Sequence, residues 1–484
     1  MDRKADAALI AGPALLALGL CLINITSRSL GFDEAATVAI TAQHGHALRA
    51  AIEHDGGNMS GYYVLMHALV GLFGNGELAL RLPSAIGAGL ATALTSVFAR
   101  RLFDRQVAFA AGALMAVSLP LVFWGQSARS YAILIALVAA SFLAFSALLD
   151  SSRPRVAWVA YVLTAALALY ASLLAILIVL AQLVVLVWDR RRARAVGGAV
   201  AAIAVCAIPL VVLAARRGSG QLFWVPRPNA TAIKQVLEAL TSSGLEPSFH
   251  TTSTTYVLLG LTLALLAGVI ASIASQRETA LLLSWLLVPV GLALVESFVG
   301  QPVFLPRNLL IVLPAVAILL AWPLARWRTA AWPLLVALLA LRVLQLAPAY
   351  GVSPEDWRGA TNYLLSHARP GDCLALYPAD GRNAFRYYAR ARVVAAPRPV
   401  LPAAPWSSAR AYIEDYATLA GRPAGCRRFW LIASHEGQPD GPAQSRLNRA
   451  RFIRLRSELQ SEYARNETRT FGYAAPVTVE LLTA

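Results

Sequence analysis

Asp33 and Glu34 stand side by side in GFDEAATVAI, residues 31–40, shortly after an apolar run that extends from Ala7 to Leu22. A carboxylate at such a place can accept a proton from an attacking hydroxyl. It can also do something plainer: Asp33 can cap the helix that AATVAITAQ begins, and Glu34 can favour that helix's positive end. Other polar residues gather where neighbouring apolar runs end. Gln126, Arg129 and Tyr131 lie in WGQSARSYA, Glu77 and Arg81 in GELALRLPSA, and Arg307 with Asn308 in PVFLPRNLL. An ionisable residue at a membrane edge is costly, and several of opposite sign on one face make a site. Arginines offer fork-shaped donors that suit a phosphate. A base beside phosphate clamps is what transfer of a group from a lipid phosphate needs.

The elements that must position these residues are membrane spans. Of 484 residues 58% are hydrophobic and 14% charged, and the apolar ones fall in long runs, which excludes the soluble classes and implies a polytopic α-helical membrane protein. The formal charge of +16 comes from arginines in short loops between those runs, where they set orientation, so no nucleic-acid partner is expected. Lysine occurs only at Lys4 and Lys234, the usage of a GC-rich bacterial genome, which points to a bacterial cytoplasmic (inner) membrane. The N-terminal run lacks a convincing cleavage site and reads as a retained first span. Cys21 and Cys206 lie in apolar spans and read as packing residues.

Runs of crossing length fall at about 7–27, 84–100, 107–124, 131–149, 155–170, 172–188, 196–214, 255–274, 279–297, 307–324 and 329–348, which makes eleven spans. Residues 61–74 are short and can either cross or lie along the surface. If they do not cross, Arg3/Lys4, Arg100/Arg101/Arg105, Arg153/Arg155, Arg190/Arg191/Arg192/Arg194, Arg277 and Arg326/Arg328 share one side, as the positive-inside rule demands. The N-terminus is then cytoplasmic, the C-terminus extracytoplasmic, and Asp33 lies on the outer face. Residues 1–349 read as the transmembrane domain, with outer loops 28–83 and 215–254, and residues 350–484 as an extracytoplasmic domain.

In that tail, strand signals alternate with helical ones: a capped helix in SPEDWRGATNYLLSHARPGD, then CLALYP, a helix near 382–390, RVVAAP, a helix near 407–420, RRFWLIAS and a long Arg-rich helix near 443–464. The alternation predicts a small three-layer α/β domain with a mostly parallel sheet. Cys373 opens one predicted strand and Cys426 directly precedes another, so a disulfide is possible in an oxidising compartment; two separate buried thiols are the alternative. His435-Glu436 is an isolated pair without ligand-like spacing, and the tail reads as a cover or partner-docking module.

The order of features resembles the GT-C membrane glycosyltransferases that use polyprenyl-phosphate-linked sugars, a superfamily that includes protein O-mannosyltransferases and lipid A aminoarabinose transferases. The stretches that carry the likeness are GFDEAATVA; GYYVLMHALVGLFGNGELALRLPSA; ARRLFDRQVAFAAGALMAVSLPLVFWGQSARSYA; PVFLPRNLLIVLPA; and EDWRGATNYLLSHARPGD. The resemblance implies a GT-C fold and inverting transfer of the sugar to an extracytoplasmic acceptor hydroxyl. Asp33 is then the general base and Glu34 its support. Arg129 and Arg307 clamp the departing phosphate, with Tyr131 as a hydrogen-bonding neighbour. Gln126, Glu77 and Arg81 belong to the same outer cluster. Tyr62-Tyr63 follow Asn58-Met59-Ser60 where relatives often carry His-Pro-Pro or Lys-Pro, and Tyr170-Ala171-Ser172 stands where many have a histidine. His67 fits a common histidine position, although a lone histidine on an apolar helix is more often a packing residue. Arg216, Arg217, Trp224, Arg227 and His250 of the 215–254 loop could cover the donor or touch the acceptor, although each alone is more often part of an ordinary loop packed on the membrane surface, and the sequon at Asn229 carries little weight in a bacterial chain.

Asp33 and Glu34 could bind a divalent ion, but no second acidic motif completes a site, so neither metal nor other cofactor is expected. The competing class is a lipid or solute transporter or flippase, in which outer carboxylates would couple protons. Transporters generally show internal repeats and midplane charges, and neither is evident here. A scaffold presenting the tail leaves the outer charges unexplained.

Overall fold

The computed structural model describes residues 3–150, 154–187, 192–218, 222, 224–245, 252–272, 277–327, 331–408, 410–412, 419 and 421–484. His250, the loop arginines Arg153, Arg190, Arg191 and Arg328, and most of the helix expected near 407–420 lie outside the described residues.

The chain is a multi-pass membrane protein. Among the described residues seven helices are long and apolar enough to cross a bilayer, by length and composition. They are α5 (Glu77–Leu102), α8 (Tyr131–Asp150), α9 (Pro154–Ala171), α11 (Ala193–Arg217), α13 (Ser253–Ser272), α14 (Arg277–Val299) and α18 (Trp332–Leu346) with the turn after it. The pair α6 (Arg105–Ala116) and α7 (Leu119–Gly125) makes an eighth if counted together; it bends by 58° at Val117-Ser118. Pro120 sits in the first turn of α7, where a missing N–H costs nothing and where a helix can restart. Shorter apolar helices are α1 (Arg3–Leu22), α4 (Ser60–Phe73), α10 (Ile176–Val185) with the turn before it, and α15 (Pro306–Leu309) running on into α16 (Leu313–Ala321). The remaining helices of this part are α2 (Phe32–Thr41), α3 (Gly45–His54), α12 (Ala230–Thr241) and α17 (Pro323–Trp327).

α5 and α8 are the most buried of the long helices and α11 the least. Close approach at the centre depends on small residues, as it does where lipid removes the hydrophobic drive between helices. A Cβ on Gly112 would meet Ser96 and Pro13, and one on Gly87 would meet the Ala132-Ile133 backbone. Cys21 is buried in this packing. Cys206, expected to pack, instead faces outward on α11, because that helix buries only one narrow stripe: Val196, Ala199, Ile203 and Leu210.

One end of the bundle is tied by Asp6, which accepts from Arg105 at 2.6 Å and from Arg100 at 3.5 Å, and by the Arg101–Asp150 pair at 3.2 Å. The opposite end carries the C-terminal sheet domain. Its helices are α19 (Trp357–His367), α20 (Gly381–Ala389) and α21 (Ala443–Glu462). Its strands are β1 (Cys373–Tyr377), β2 (Arg398–Leu401), β3 (Arg428–Ala433), β4 (Ala464–Phe471) and β5 (Val477–Thr483), in the order β2-β1-β3-β5-β4. The sheet is mixed where a mostly parallel one was expected: β2, β1 and β3 run parallel, but the chain returns after α21 as a hairpin that adds β5 and β4 antiparallel. The strand expected at RVVAAP begins later, at Arg398, after a 3-10 turn at Val393–Ala395. Pro399 has no N–H to give to a ladder, and β2 is an edge strand, where that is tolerated.

The central strands bury both faces, so their apolar residues run without a gap. Leu374, Leu376, Trp430 and Ile432 face α19 and α20, whereas Cys373, Ala375, Phe429 and Leu431 face α21 with Phe452 and Leu455. Cys373 and Cys426 are disulfide-bonded, with Cα atoms 5.6 Å apart. The first of these two cores also takes in Ala35 and Phe32 of α2. The helix that carries Asp33 is thus packed into the C-terminal domain.

Candidate active site

α2 begins at Phe32 with Gly31 as its N-cap in extended conformation. The expected cap is not Asp33: Glu34 reaches back, its Oε2 accepting the Gly31 N–H at 3.1 Å. The two carboxylates then diverge, as adjacent residues on a helix must.

Glu34 turns inward and is saturated. Arg81, wholly buried, donates through Nε to Oε1 and through Nη2 to Oε2, both at 3.0 Å, and the Ala128 N–H donates to Oε1 at 2.7 Å. The same guanidinium donates to the carbonyls of Ile25, Arg28 and Ser29. Burial disfavours the ionised form of Glu34, but Arg81, Arg28 and the Ala128 amide outweigh it and lower its pKa. Glu34 therefore ties α2 to α5 and to the turn that carries Arg129.

Asp33 turns toward an opening and keeps 45% of its side chain exposed. Arg307 Nη1 lies 3.2 Å from Oδ2 and Arg129 Nη2 3.9 Å from the same oxygen, while Arg129 Nη1 donates to the Asp33 carbonyl at 3.3 Å. Burial works against its charge, yet Arg129, Arg307 and His435 prevail and hold the carboxyl below the usual carboxylate range. Arg129 Nε is buried with no hydrogen-bond partner. Such a donor is expensive unless an oxygen arrives. Trp224 from the 215–254 loop lies under Arg307, ring centroid to guanidinium 4.9 Å, and steers its fork.

The other expected residues have contacts within the protein. Gln126 is buried and donates to the carbonyls of Cys21 and Ile23, fixing the end of α1. Tyr131 packs edge-on against Trp124 at 4.4 Å. Glu77 pairs with Arg358 and accepts from the Tyr388 hydroxyl at 2.9 Å, clamping the C-terminal domain onto the loop. His67 donates from Nδ1 to the Thr41 carbonyl at 2.8 Å. Tyr63 donates to Asp55 at 3.1 Å, and Tyr62 is buried near Ser84. Asn308 donates to the Val303 carbonyl. Arg216 and Arg227 are exposed, Arg217 is partly buried, and Asn229 caps α12 by accepting from the Ala232 N–H at 2.9 Å. Among the described residues no three His, Cys, Asp or Glu side chains converge as a metal-ion site.

The C-terminal domain packs against α2, and His435, isolated in sequence, has a partner in space. Glu355 Oε2 accepts the Phe32 N–H at 2.6 Å, and its Oε1 lies 3.4 Å from His435 Nε2, whose ring packs on Phe32 at 4.9 Å. Arg358 donates to the carbonyls of Thr26, Ser27 and Arg28, and the Leu30 N–H donates to the Tyr388 hydroxyl at 2.6 Å. The signal for this was the PEDWR stretch. Its Asp356 caps α19 as expected, accepting from the Gly359 N–H at 2.9 Å, but its Glu355 and Arg358 reach across to Phe32 and to the Ser27 carbonyl.

Residues 60–215 match the family model described as dolichyl-phosphate-mannose-protein mannosyltransferase. A comparison with curated proteins finds no match. Among solved structures, ArnT from Cupriavidus metallidurans bound to undecaprenyl phosphate is similar at 12% identity and a TM-score of 0.52, covering 97% of each chain. AglB, an oligosaccharyltransferase from Archaeoglobus fulgidus in complex with an inhibitory peptide and a dolichol-phosphate, is similar at 14% identity and a TM-score of 0.54, covering 98% of this chain and 74% of the other. At these identities the likeness is one of fold. The family-model match spans residues 60–215, about a third of the chain, and what is shared with ArnT and AglB along most of its length is the fold.

Proposed function

We propose that this chain transfers a sugar from a polyprenyl-phosphate carrier to a hydroxyl of an extracytoplasmic protein, lipid or cell-envelope glycan, with inversion and with Asp33 as general base. The observation that carries the reading is the half-open Asp33 carboxylate bracketed by Arg129 and Arg307, with a buried Arg129 N–H awaiting an acceptor. The lipid phosphates in the ArnT and AglB structures support a carrier of that chemistry.

Without donor, both guanidinium groups serve Asp33 and keep it a weak base. A phosphate placed on them competes for the same donors, and its negative charge pushes the carboxyl's proton affinity up. Asp33 then takes the acceptor proton as the hydroxyl oxygen attacks the anomeric carbon, and the carrier phosphate departs into the two arginines. Glu34 orients Asp33 through α2, and Tyr62 and Tyr63 lie buried in the surroundings of Arg129.

The proposed topology has eleven crossings: seven long helices, the bent pair as one, and three of the four shorter apolar helices. α4 lies along the surface. Asp33 and residues 350–484 then face outward from a bacterial cytoplasmic membrane, with residues 1–349 as the catalytic domain. The test is mass spectrometry of glycans, lipids and secreted proteins from a deletion strain. One missing sugar is expected, restored by the wild-type gene and not by Asp33→Asn; an unchanged envelope, or restoration by Asp33→Asn, overturns the reading.

A further inference from the structure

The machinery above leaves two ionisable side chains beside Asp33 unused, and both come from the C-terminal domain. We propose that Glu355 and His435 are positioning residues for Asp33, so that the C-terminal domain completes the catalytic site. The inference rests on the reading of Asp33 as base.

Helix N-termini leave their first N–H groups without intrahelical partners. In α2 one of these, the N–H of Phe32, is satisfied by a carboxylate 323 positions away in sequence, Glu355 Oε2 at 2.6 Å. That oxygen also accepts from the Trp357 indole at 3.2 Å, and Oε1 faces His435 Nε2 at 3.4 Å, so the carboxylate is held on both sides. The His435 ring in turn lies on Phe32, the residue directly before Asp33. Two side chains of one domain thus grip both the backbone and the side chain next to the base.

The turn that presents His435 is built for the purpose. His435 has φ +51, a left-handed conformation unusual for a residue with a side chain, and outliers of this kind concentrate at functional sites. Glu436 is ion-paired with Arg449 of α21. Gly437, at φ +93, approaches α21 so closely that a Cβ would meet the Ser445 carbonyl at 2.3 Å. The imidazole is therefore delivered from the start of a long packed helix.

The groups are also linked by charge. The charged groups facing Asp33 are Arg129, Arg307 and His435; those facing Glu355 are His435 and Asp33, with the Phe32 amide and Trp357 indole as neutral donors. Burial and Asp33 raise the Glu355 carboxyl above its ordinary value, against His435, the Phe32 amide and the indole. A carboxyl in that state loses its charge at a pH where Asp33 is still ionised, so Glu355 sets the acid side of the activity profile.

The test uses full-length protein in lipid nanodiscs with undecaprenyl-phosphate mannose, together with amide hydrogen exchange over residues 30–36. Glu355→Gln keeps an acceptor for Phe32 and removes the charge. It is expected to lower kcat by up to about a hundredfold with donor KM unchanged, and to move the acid limb to lower pH. His435→Gln removes the partner that favours ionised Glu355 and moves the limb the opposite way. Both variants speed amide exchange at residues 32–35, a readout that needs no donor and holds if mannose is the wrong sugar. Arg454→Ala, on the exposed face of α21, leaves everything unchanged. Wild-type turnover, pH profile and exchange in both Glu355→Gln and His435→Gln overturn the inference; turnover by Asp33→Asn would instead remove the reading on which it rests.

Discussion

Asp33 and Glu34 are chemically similar, adjacent, and placed on the same helix, yet the protein treats them oppositely. Glu34 has a bidentate arginine and two backbone N–H donors and keeps 11% of its side chain exposed; Asp33 has two arginines at one oxygen and keeps 45%. A carboxylate whose lone pairs are all taken cannot accept a proton without breaking the structure around it. One held loosely by cations that another anion can claim is free to act in the way proposed for Asp33. The same contrast separates the arginines. Arg81 is spent on Glu34 and three carbonyls, whereas Arg129 keeps a buried N–H unpartnered.

The largest effect that can break this contrast is on turnover. Asp33→Asn should lower kcat by about 10²–10⁴-fold, the usual worth of a general base, while thermal unfolding stays at the wild-type midpoint. Arg81→Ala should do the reverse. Removing one partner of a buried pair costs about 3–5 kcal/mol, so the variant should unfold at markedly lower temperature and bind donor poorly because the Arg129 turn has lost its tie. If instead Arg81→Ala were stable and merely slow, the division of labour between the two acids would be wrong.

Arg307→Ala refines the comparison from the other side. It removes one of the two cations proposed to receive the departing phosphate, which is worth about 10²–10³-fold in kcat. Stability should change little, since Arg307 remains 21% exposed. Lysine at this position should recover only part of the activity, because it offers a point charge in place of a fork and does not stack on Trp224 in the same way.

Much of this was legible in the chain, and the reasons for the rest are physical. Spans announce themselves because lipid tolerates only continuous apolar helices, so a bundle of apolar helices with a polar cluster at one end could be read from the chain. Asp33, Arg129 and Arg307 could be singled out because membrane-edge charges are rare. Whether each charge was structural or open could not be read: Gln126, Glu77 and Arg81 carry the same local signal as Arg129, and only the contacts separate them. The part played by Glu355 and His435 was hidden by distance. Glu355 sits in a stretch that looks like an ordinary cap, and His435 stands alone in sequence; their joint meaning arises from a fold that brings positions 32, 355 and 435 together. The mixed sheet was missed because alternating strands and helices suggest parallel crossovers, while the hairpin of β4 and β5 breaks the alternation only at the end.

The smallest expected effect separates the acids by pH. Glu34 titrates below its ordinary value in the folded state. As pH falls, the unfolded chain binds that proton before the folded one does, so the stability from Glu34 is full above the ordinary carboxylate range and is lost as pH falls through the folded value. Glu355 has the opposite sign: its folded value is raised, so its contribution is present at low pH and lost as pH rises through that value. The raw slope of stability against pH mixes the two. The difference between wild type and Glu34→Gln isolates one of them, at about 1.4 kcal/mol for each pH unit that separates the folded from the unfolded titration. Thermal unfolding from pH 7 down to about pH 2 should therefore show wild type losing its advantage over Glu34→Gln once the pH drops below the ordinary glutamate range. The advantage of wild type over Glu355→Gln should grow instead. Parallel curves for all three proteins would mean that neither carboxyl differs between the folded and unfolded chain, and the saturated and open sides of α2 would have to be assigned again.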